Sequence, residues 1–253
     1  SPEDDPLNGV VRLCSVKAVN PGNGALAGKT IGLKDTISIA GIPMTCASRL
    51  LWDYTPDGDA TVVKRLIEAD GHITHILSTD DFGFAGTGHT SGYGPAKNPV
   101  NPKHHPGGSS SGSAIGIAEG LVDLTLGGDQ GGSIRIPAAW SGIVGLKPSH
   151  GLIPYTGIVG FDLSIDHIGP MTKTVADTAL MLSVLAGADD TCIDPRQPST
   201  VGPQDYLGAL EGSAKGLKVA VVEESFGHEG VSTREVDSAV RDAAERLKSL
   251  GAE

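Results

Sequence analysis

The sequence predicts an α/β fold. Short runs with strand periodicity alternate with longer runs at helical spacing, and the chain closes on a strand followed by an amphipathic helix. In addition, two glycine-rich loops bracket one short helix and one buried strand between residues 107 and 133.

Taken in order, residues 29–40 (KTIGLKDTISIA) alternate Ile31 and Leu33, then Ile37 and Ile39, around a KDT interruption. This predicts two short strands meeting at a turn, with Lys34 at the junction. Val62, Val63, Leu66 and Ile67 then fall at helical spacing, with Asp59 as the expected N-cap and Gly71 as the stop. A strand over His72–Leu77 follows. From Phe82 to Ser113 the chain is dense in Gly, Ser, Pro and Asn with little apolar periodicity, and a loop of that length points to function or disorder.

Ser111–Glu119 is small and helix-compatible, and Leu121–Leu126 reads as a buried strand running into GGDQGGS at 127–133. Thr174–Ala186 is a helix with Val175, Leu180, Leu182 and Leu185 largely on one side, and Gly187–Gly202 is a connecting loop. In the tail, Gly216–Val222 predicts a strand. Ser232–Glu235 has the pattern of a capping box opening a helix with Val236, Val240, Ala243, Leu247 and Leu250 on one face. A strand, a helix and Gly251 in series predict a further strand to follow.

At 253 residues, the chain is long enough for one large domain or two modest ones. Lys plus Arg is 19 against 30 for Asp plus Glu, a net charge of −11, which makes nucleic acid and anionic membrane poor partners. Glycine, at 36 residues, is roughly twice its usual share, so many positions need positive φ or close backbone approach. Cys14, Cys46 and Cys192 are widely spaced and form no CxxC or Cys/His ligand pattern, which argues against a disulfide scaffold and against structural zinc. No apolar run approaches the roughly 18 residues that span a bilayer, and the acidic opening SPEDDPLNG is unlike a secretory leader.

Two segments carry candidate chemistry. GGSSSGSA (107–114) reads either as a flexible linker or as a cradle of backbone N–H groups at a helix N-terminus. Neither a GxxxxGK[ST] nor a clean GxGxxG pattern is present, so a nucleotide site is not supported. GGDQGGSIRIPAA (127–139) superficially matches the GDSGG segment of chymotrypsin-type proteases, but Gln130 stands where the serine would be. It is either an ordinary Gly-rich turn or one that exposes Ser133 while the N–H groups of Gln130, Gly131, Gly132 and Ser133 converge as an oxyanion hole.

In combination, GLKDT with Lys34 and Asp35, GGSSSGSA with Ser109, and GGDQGGSIR with Ser133, 24 residues beyond Ser109, resemble the amidase signature family. The resemblance runs from about Gly28 to Gly187, with GLKPSHGLIPYTG (145–157) and DHIGPMTKTVADTALML (166–182) adding to it. Within the family the chain is most similar to broad-substrate bacterial amidases of nitrile metabolism. The resemblance implies a mixed sheet covered by helices on both sides. It also implies that residues 1–253 are the N-terminal part of one amidase signature domain that continues beyond them.

It further implies a Ser–cisSer–Lys triad: Ser133 as nucleophile, Ser109 on a cis peptide as proton relay, and Lys34 as base. A serine hydroxyl attacks only when a neighbour takes its proton, and a lysine can do so only when its surroundings hold it neutral. By the same resemblance Asp129 and Arg135 form a salt bridge behind the nucleophile turn, and Ser110 supports the network. The loop 83–89, with Gly86 and Thr87, covers the substrate amide, and Gln130, Gly131 and Gly132 contribute to the oxyanion and substrate site.

The chain departs from the family pattern at His75–Phe82, which lacks the usual Lys and Asn, at Gln130 in place of Thr or Ile, and at Ser111 in place of glycine. His89, His104, His105, His150 and His167 lack HExxH or i, i+4 spacing, and no metal or other cofactor is expected. The expected reaction is hydrolysis of a carboxamide to carboxylate and ammonia through an acyl-serine intermediate. The expected partner is a small-molecule amide, without nucleic acid or membrane, in the cytoplasm, with a homodimer allowed. The alternatives are the amide-hydrolysing subunit of a tRNA-dependent amidotransferase and a catalytically silent interaction module.

Overall fold

A computed structural model of the chain describes residues 4–189, 194, 196–197, 201–202, 204–228 and 230–253. They form two compact units, one ending at Leu207 and one over Gly208–Glu253.

The first unit is built on six strands: β1 (Val10–Val16), β2 (Thr30–Lys34), β3 (His72–Leu77), β4 (Leu124–Asp129), β5 (Val144–Gly145) and β6 (His167–Thr172). Their order is β1-β3-β2-β4-β6-β5. The central strand β2 runs parallel to both neighbours, β3 and β4, while the outer pairs are antiparallel, so the sheet is mixed as expected. This arrangement brings Lys34, at the C-terminal end of β2, opposite Leu77 and one residue beyond the Leu33–Leu126 pair.

Helices cover both faces. Ile31, Leu33, Leu124 and Leu126 pack with Val62, Val63 and Leu66 of α1 (Thr61–Glu68) and with Met181, Leu182 and Leu185 of α4 (Val175–Leu185). Each such Leu or Ile, fully buried, contributes roughly 1.5–3 kcal/mol. Elsewhere Ala114 of α2 (Ser111–Ala118) packs with Ile134, with Ala138 of α3 (Arg135–Ser141) and with Met171 of β6. Helix α2 can lie close to the sheet because its residues are small. A Cβ at Gly112 would stand 2.3 Å from the Ser78 nitrogen. Thr125 Oγ1 donates to the Ser113 carbonyl at 3.2 Å and Ser113 Oγ to the Leu126 carbonyl at 2.9 Å, which pins the start of α2 to β4.

Several sequence expectations change in detail. Only the first of the two strands expected over 29–40 forms, and Ile37 makes an isolated bridge to Ile158. The N-cap of α1 is Ala60, because the Asp59 carboxylate accepts the Ala40 N–H instead. The strand expected at Leu121–Leu126 starts at Leu124 and continues through Asp129. Helix α4 is capped as a Ser/Thr/Asp signal dictates, with Thr174 Oγ1 accepting the Asp177 N–H. Arg65 of α1 donates to the last carbonyl of α4, that of Leu185, and to the carbonyls of Gly187 and Ala188 just beyond it.

In the second unit the helix α5 (Arg234–Ser249) forms, capped by Thr233 rather than Ser232, whose hydroxyl is bonded to Asp237. Val236, Val240, Leu247 and Leu250 are exposed. Gly216–Val222 is not a strand among the described residues; the Gly216 N–H donates to the Gly251 carbonyl, and Leu217 and Val219 share two backbone hydrogen bonds with Glu253.

Candidate active site

Lys34 is 1% exposed, among the largest fully buried side chains in the protein. Its Nζ donates to Ser109 Oγ at 2.6 Å and to the Gly128 carbonyl at 3.5 Å. Burial pushes the amine down to about 8, against the opposing pull of the Asp80 and Asp129 charges. The peptide bond between Gly108 and Ser109 is cis, and Ser109 is fully buried. Ser110 anchors the turn: its hydroxyl accepts the Gly128 N–H and donates to the Gly128 carbonyl, both at 3.1 Å, and its own N–H donates to the Ser133 carbonyl at 3.2 Å. The sheet and the start of α2 thereby bring Lys34, Ser109 and the Ser133 turn together.

Ser133 is 7% exposed and lines a cavity of about 470 Å³. Gly83, Gly86, Gln130 and Gly131 share that lining, while Phe84, Ile136, Phe161 and Ile165 make an apolar wall. Phe84 and Phe161 stack at 4.8 Å between ring centroids. Among the described residues no hydrogen bond joins the Ser133 hydroxyl to Ser109.

The turn carrying Ser133 is fixed from behind by Asp129, whose side chain is fully buried. Its carboxylate accepts the N–H groups of Gly132 (2.8 Å), Ile134 (3.1 Å) and Arg135 (3.4 Å) and a two-pronged contact from the Arg135 guanidinium at 2.9 and 3.0 Å. Burial alone would raise this carboxyl, but the Arg135 and backbone hydrogen bonds outweigh it and hold Asp129 below the usual carboxylate range. The Gly132 N–H points to Asp129 rather than to an oxyanion, whereas no hydrogen bond engages the N–H of Gly131 or of Ser133 among the described residues.

Thr87 is not among the residues lining that cavity, and its hydroxyl is bonded to His89 Nδ1. The loop 83–89 nevertheless reaches the site through Gly83–Gly86, and the Gly86 carbonyl accepts the Gly108 N–H at 2.9 Å. Within His75–Phe82, Asp80 ties the segment to the loop that follows. Its buried carboxylate accepts the N–H of Gly88 and both the N–H and hydroxyl of Thr90. Ser111 Oγ reaches the Ser78 carbonyl at 3.5 Å.

Sequence reasoning missed Asp80, Phe84, Tyr155, Phe161 and Asp166. Gln130 Nε2 donates to the buried Tyr155 hydroxyl at 3.4 Å. Burial, and next to it the Asp166 charge, raise that phenol, so it stays neutral. Phe84 lies within the loop expected to cover the substrate, a signal that could have marked it. Asp166 opens the DHIGPM segment, and its local sequence gives no sign that its carboxylate is buried.

No group of three or more His, Cys, Asp or Glu side chains suited to a metal ion occurs among the described residues. His89 and His105 pair at 5.4 Å, as do His150 and His167. Cys14 and Cys46 are free, with burial raising their thiols to about 11 and about 12, while Cys192 lies outside the described residues. No described helix is long and apolar enough to cross a membrane.

A mixed sheet thus brings together a buried lysine, a cis-linked serine and a glycine-rich serine turn. The amidase family profile matches residues 15–253, and the chain belongs to that family. It is 48% identical over 227 residues to a glutamyl-tRNA(Gln) amidotransferase subunit of Exiguobacterium sibiricum, covering 90% of this chain and 46% of that protein. An enantioselective amidase of Rhodococcus rhodochrous is also 48% identical, over 229 residues, covering 89% of this chain and 43% of the relative. Among solved structures, the corresponding amidotransferase subunit of Thermotoga maritima superposes with a TM-score of 0.87 at 35% identity, over 98% of this chain and 53% of that one. The chain thus spans about half the length of these relatives.

Proposed function

We propose that this chain carries the catalytic centre of an amidase that hydrolyses a carboxamide to carboxylate and ammonia through an acyl-serine intermediate. The observation that carries the reading is the 2.6 Å contact from Lys34 Nζ to Ser109 Oγ at a fully buried site beside the Ser133 turn. The lysine, lowered to about 8, supports a base whose neutral amine becomes the main form only above that value.

In this reading neutral Lys34 takes the Ser109 proton as Ser109 takes that of Ser133, and Ser133 Oγ attacks the amide carbon. The tetrahedral oxyanion is received by the N–H groups of Gly131 and Ser133, whose residues line the cavity. Ser109 returns a proton to the departing nitrogen, and ammonia leaves. Water then hydrolyses the ester by the reverse proton path, which regenerates Ser133. The apolar wall supports an aromatic or bulky aliphatic acyl group.

A second reading, an amide-hydrolysing subunit that passes ammonia to a partner, is favoured by the amidotransferase relatives. Ammonia release from a panel of aliphatic, aromatic and arylalkyl amides, with glutamine included, separates the two. An amidase turns over simple amides. A subunit of the second kind turns over glutamine in preference.

A further inference from the structure

Asp166 precedes β6 and is 1% exposed, yet its carboxylate accepts no hydrogen bond from a cationic side chain among the described residues. One oxygen, Oδ2, accepts the N–H of Phe161 at 2.8 Å and of Asp162 at 3.0 Å, and the other, Oδ1, is buried without a partner. A buried carboxylate with an unpaired oxygen is costly, so its retention calls for a reason. The loop it closes supplies one. The Asp162 carbonyl accepts the N–H of both Ile165 and Asp166, so residues 161–166 fold back on themselves around this side chain. Phe161 and Ile165, two members of the cavity wall, stand on that loop.

The backbone of Asp166 is held from the other side as well. Arg196 Nη1 donates to the Asp166 carbonyl at 2.9 Å, while the same guanidinium is paired with Asp194 and lies 4.6 Å from the Tyr155 ring centre. Gly160 leaves the carboxylate its place: a Cβ there would stand 2.4 Å from Asp166 Oδ2. From this loop the Phe161 ring stacks on Phe84.

We propose that Asp166 is a positioning residue that sets acyl selectivity, by holding Phe161 and Ile165 in place as the aromatic wall of the cavity. The proposal rests on the amidase reading for the identity of the ligand, and its test does not depend on turnover. The probe is phenylacetamide, and its binding is measured by calorimetry in a Ser133→Ala chain. Adding Asp166→Ala weakens binding about tenfold, on the scale of one lost aromatic pair and its burial. Asp166→Asn, which keeps an acceptor for the two N–H groups, stays within about twofold. Phe161→Ala reproduces the loss, and combining it with Asp166→Ala adds little, because both remove the same wall. Gly160→Ala, which crowds the carboxylate without removing it, also weakens binding and serves where Asp166→Ala does not fold.

Unchanged binding in Asp166→Ala or in Gly160→Ala overturns the proposal. So does a full additional loss on combining Asp166→Ala with Phe161→Ala, a loss in Asp166→Asn as large as in Asp166→Ala, or no binding of phenylacetamide at all. Turnover of carboxamides by the unmodified chain is a separate measurement. If binding follows the expected pattern while no amide is hydrolysed, the amidase reading fails and the wall stands.

Discussion

Lys34 and Ser110 meet at one acceptor, the Gly128 carbonyl, the amine at 3.5 Å and the hydroxyl at 3.1 Å. The hydroxyl also accepts the Gly128 N–H, so Ser110 fixes the peptide against which the lysine rests. Ser110→Ala takes this acceptor from the buried Gly128 N–H and leaves the carbonyl only the 3.5 Å lysine contact, which costs about 1–3 kcal/mol. The expected result is a lowered denaturation midpoint together with a fall in kcat of about tenfold, as Lys34 loses its fixed support. A variant with unaltered midpoint and kcat would contradict this role.

The Lys34 amine, lowered to about 8, fixes the sign of the pH dependence. A base works only when unprotonated, so below that value activity falls about tenfold per pH unit and above it levels off. The profile of kcat/KM for the free enzyme should therefore show one acid limb ending near 8. Lys34→Arg should be as inactive as Lys34→Ala, because a guanidinium does not give up its proton at working pH. An active arginine variant would mean that the residue supplies only positive charge.

Asp129 and Arg135 should respond unequally to substitution. The Arg135 side chain is 53% exposed and returns to water easily, whereas the Asp129 carboxylate is buried and serves three backbone N–H groups as well. Asp129→Ala strands those groups and should destabilise by about 3 kcal/mol or more. Arg135→Ala, which leaves the backbone contacts in place, should lose about 1 kcal/mol. Chemical denaturation of the two variants distinguishes them, and equal losses would show that the ion pair rather than the backbone capping organises the turn.

An acyl-enzyme commits the second step to a nucleophile chosen after ammonia or an amine has left. Hydroxylamine should then compete with water, and a primary amide and an anilide of one acid should give the same ratio of hydroxamate to acid. A ratio that changes with the leaving group excludes a shared intermediate.

That Lys34 and Ser109 meet was legible only through the short motifs GLKDT and GGSSSGSA, because the two residues lie on separate elements 75 positions apart. Strand β3 and the small helix α2 were equally legible from local pattern. Strand β6 was not, since His167–Thr172 contains Gly169 and Pro170, residues that weaken a strand reading, and it forms because β4 and β5 flank it. Helix α3 was hidden by Pro137, which sits in its first turn, where a missing N–H does no harm. Asp80 and Asp166 look in sequence like solvated loop carboxylates, and only the fold reveals that each is buried against backbone N–H groups. Asp59 failed as a cap for a related reason, because a backbone partner distant in sequence, Ala40, claimed its side chain.

Whether Ser133 carries the acyl group is decided by trapping that group. A slowly deacylated amide or ester is mixed with the chain, quenched in acid, digested and mapped by mass spectrometry. The expected result is an added acyl mass on the peptide containing Ser133, lost in Ser133→Ala and greatly reduced in Lys34→Ala. An acyl mass on Ser109 or on another residue, or turnover with no acylated peptide in the unmodified chain and full activity in Ser133→Ala, would contradict it.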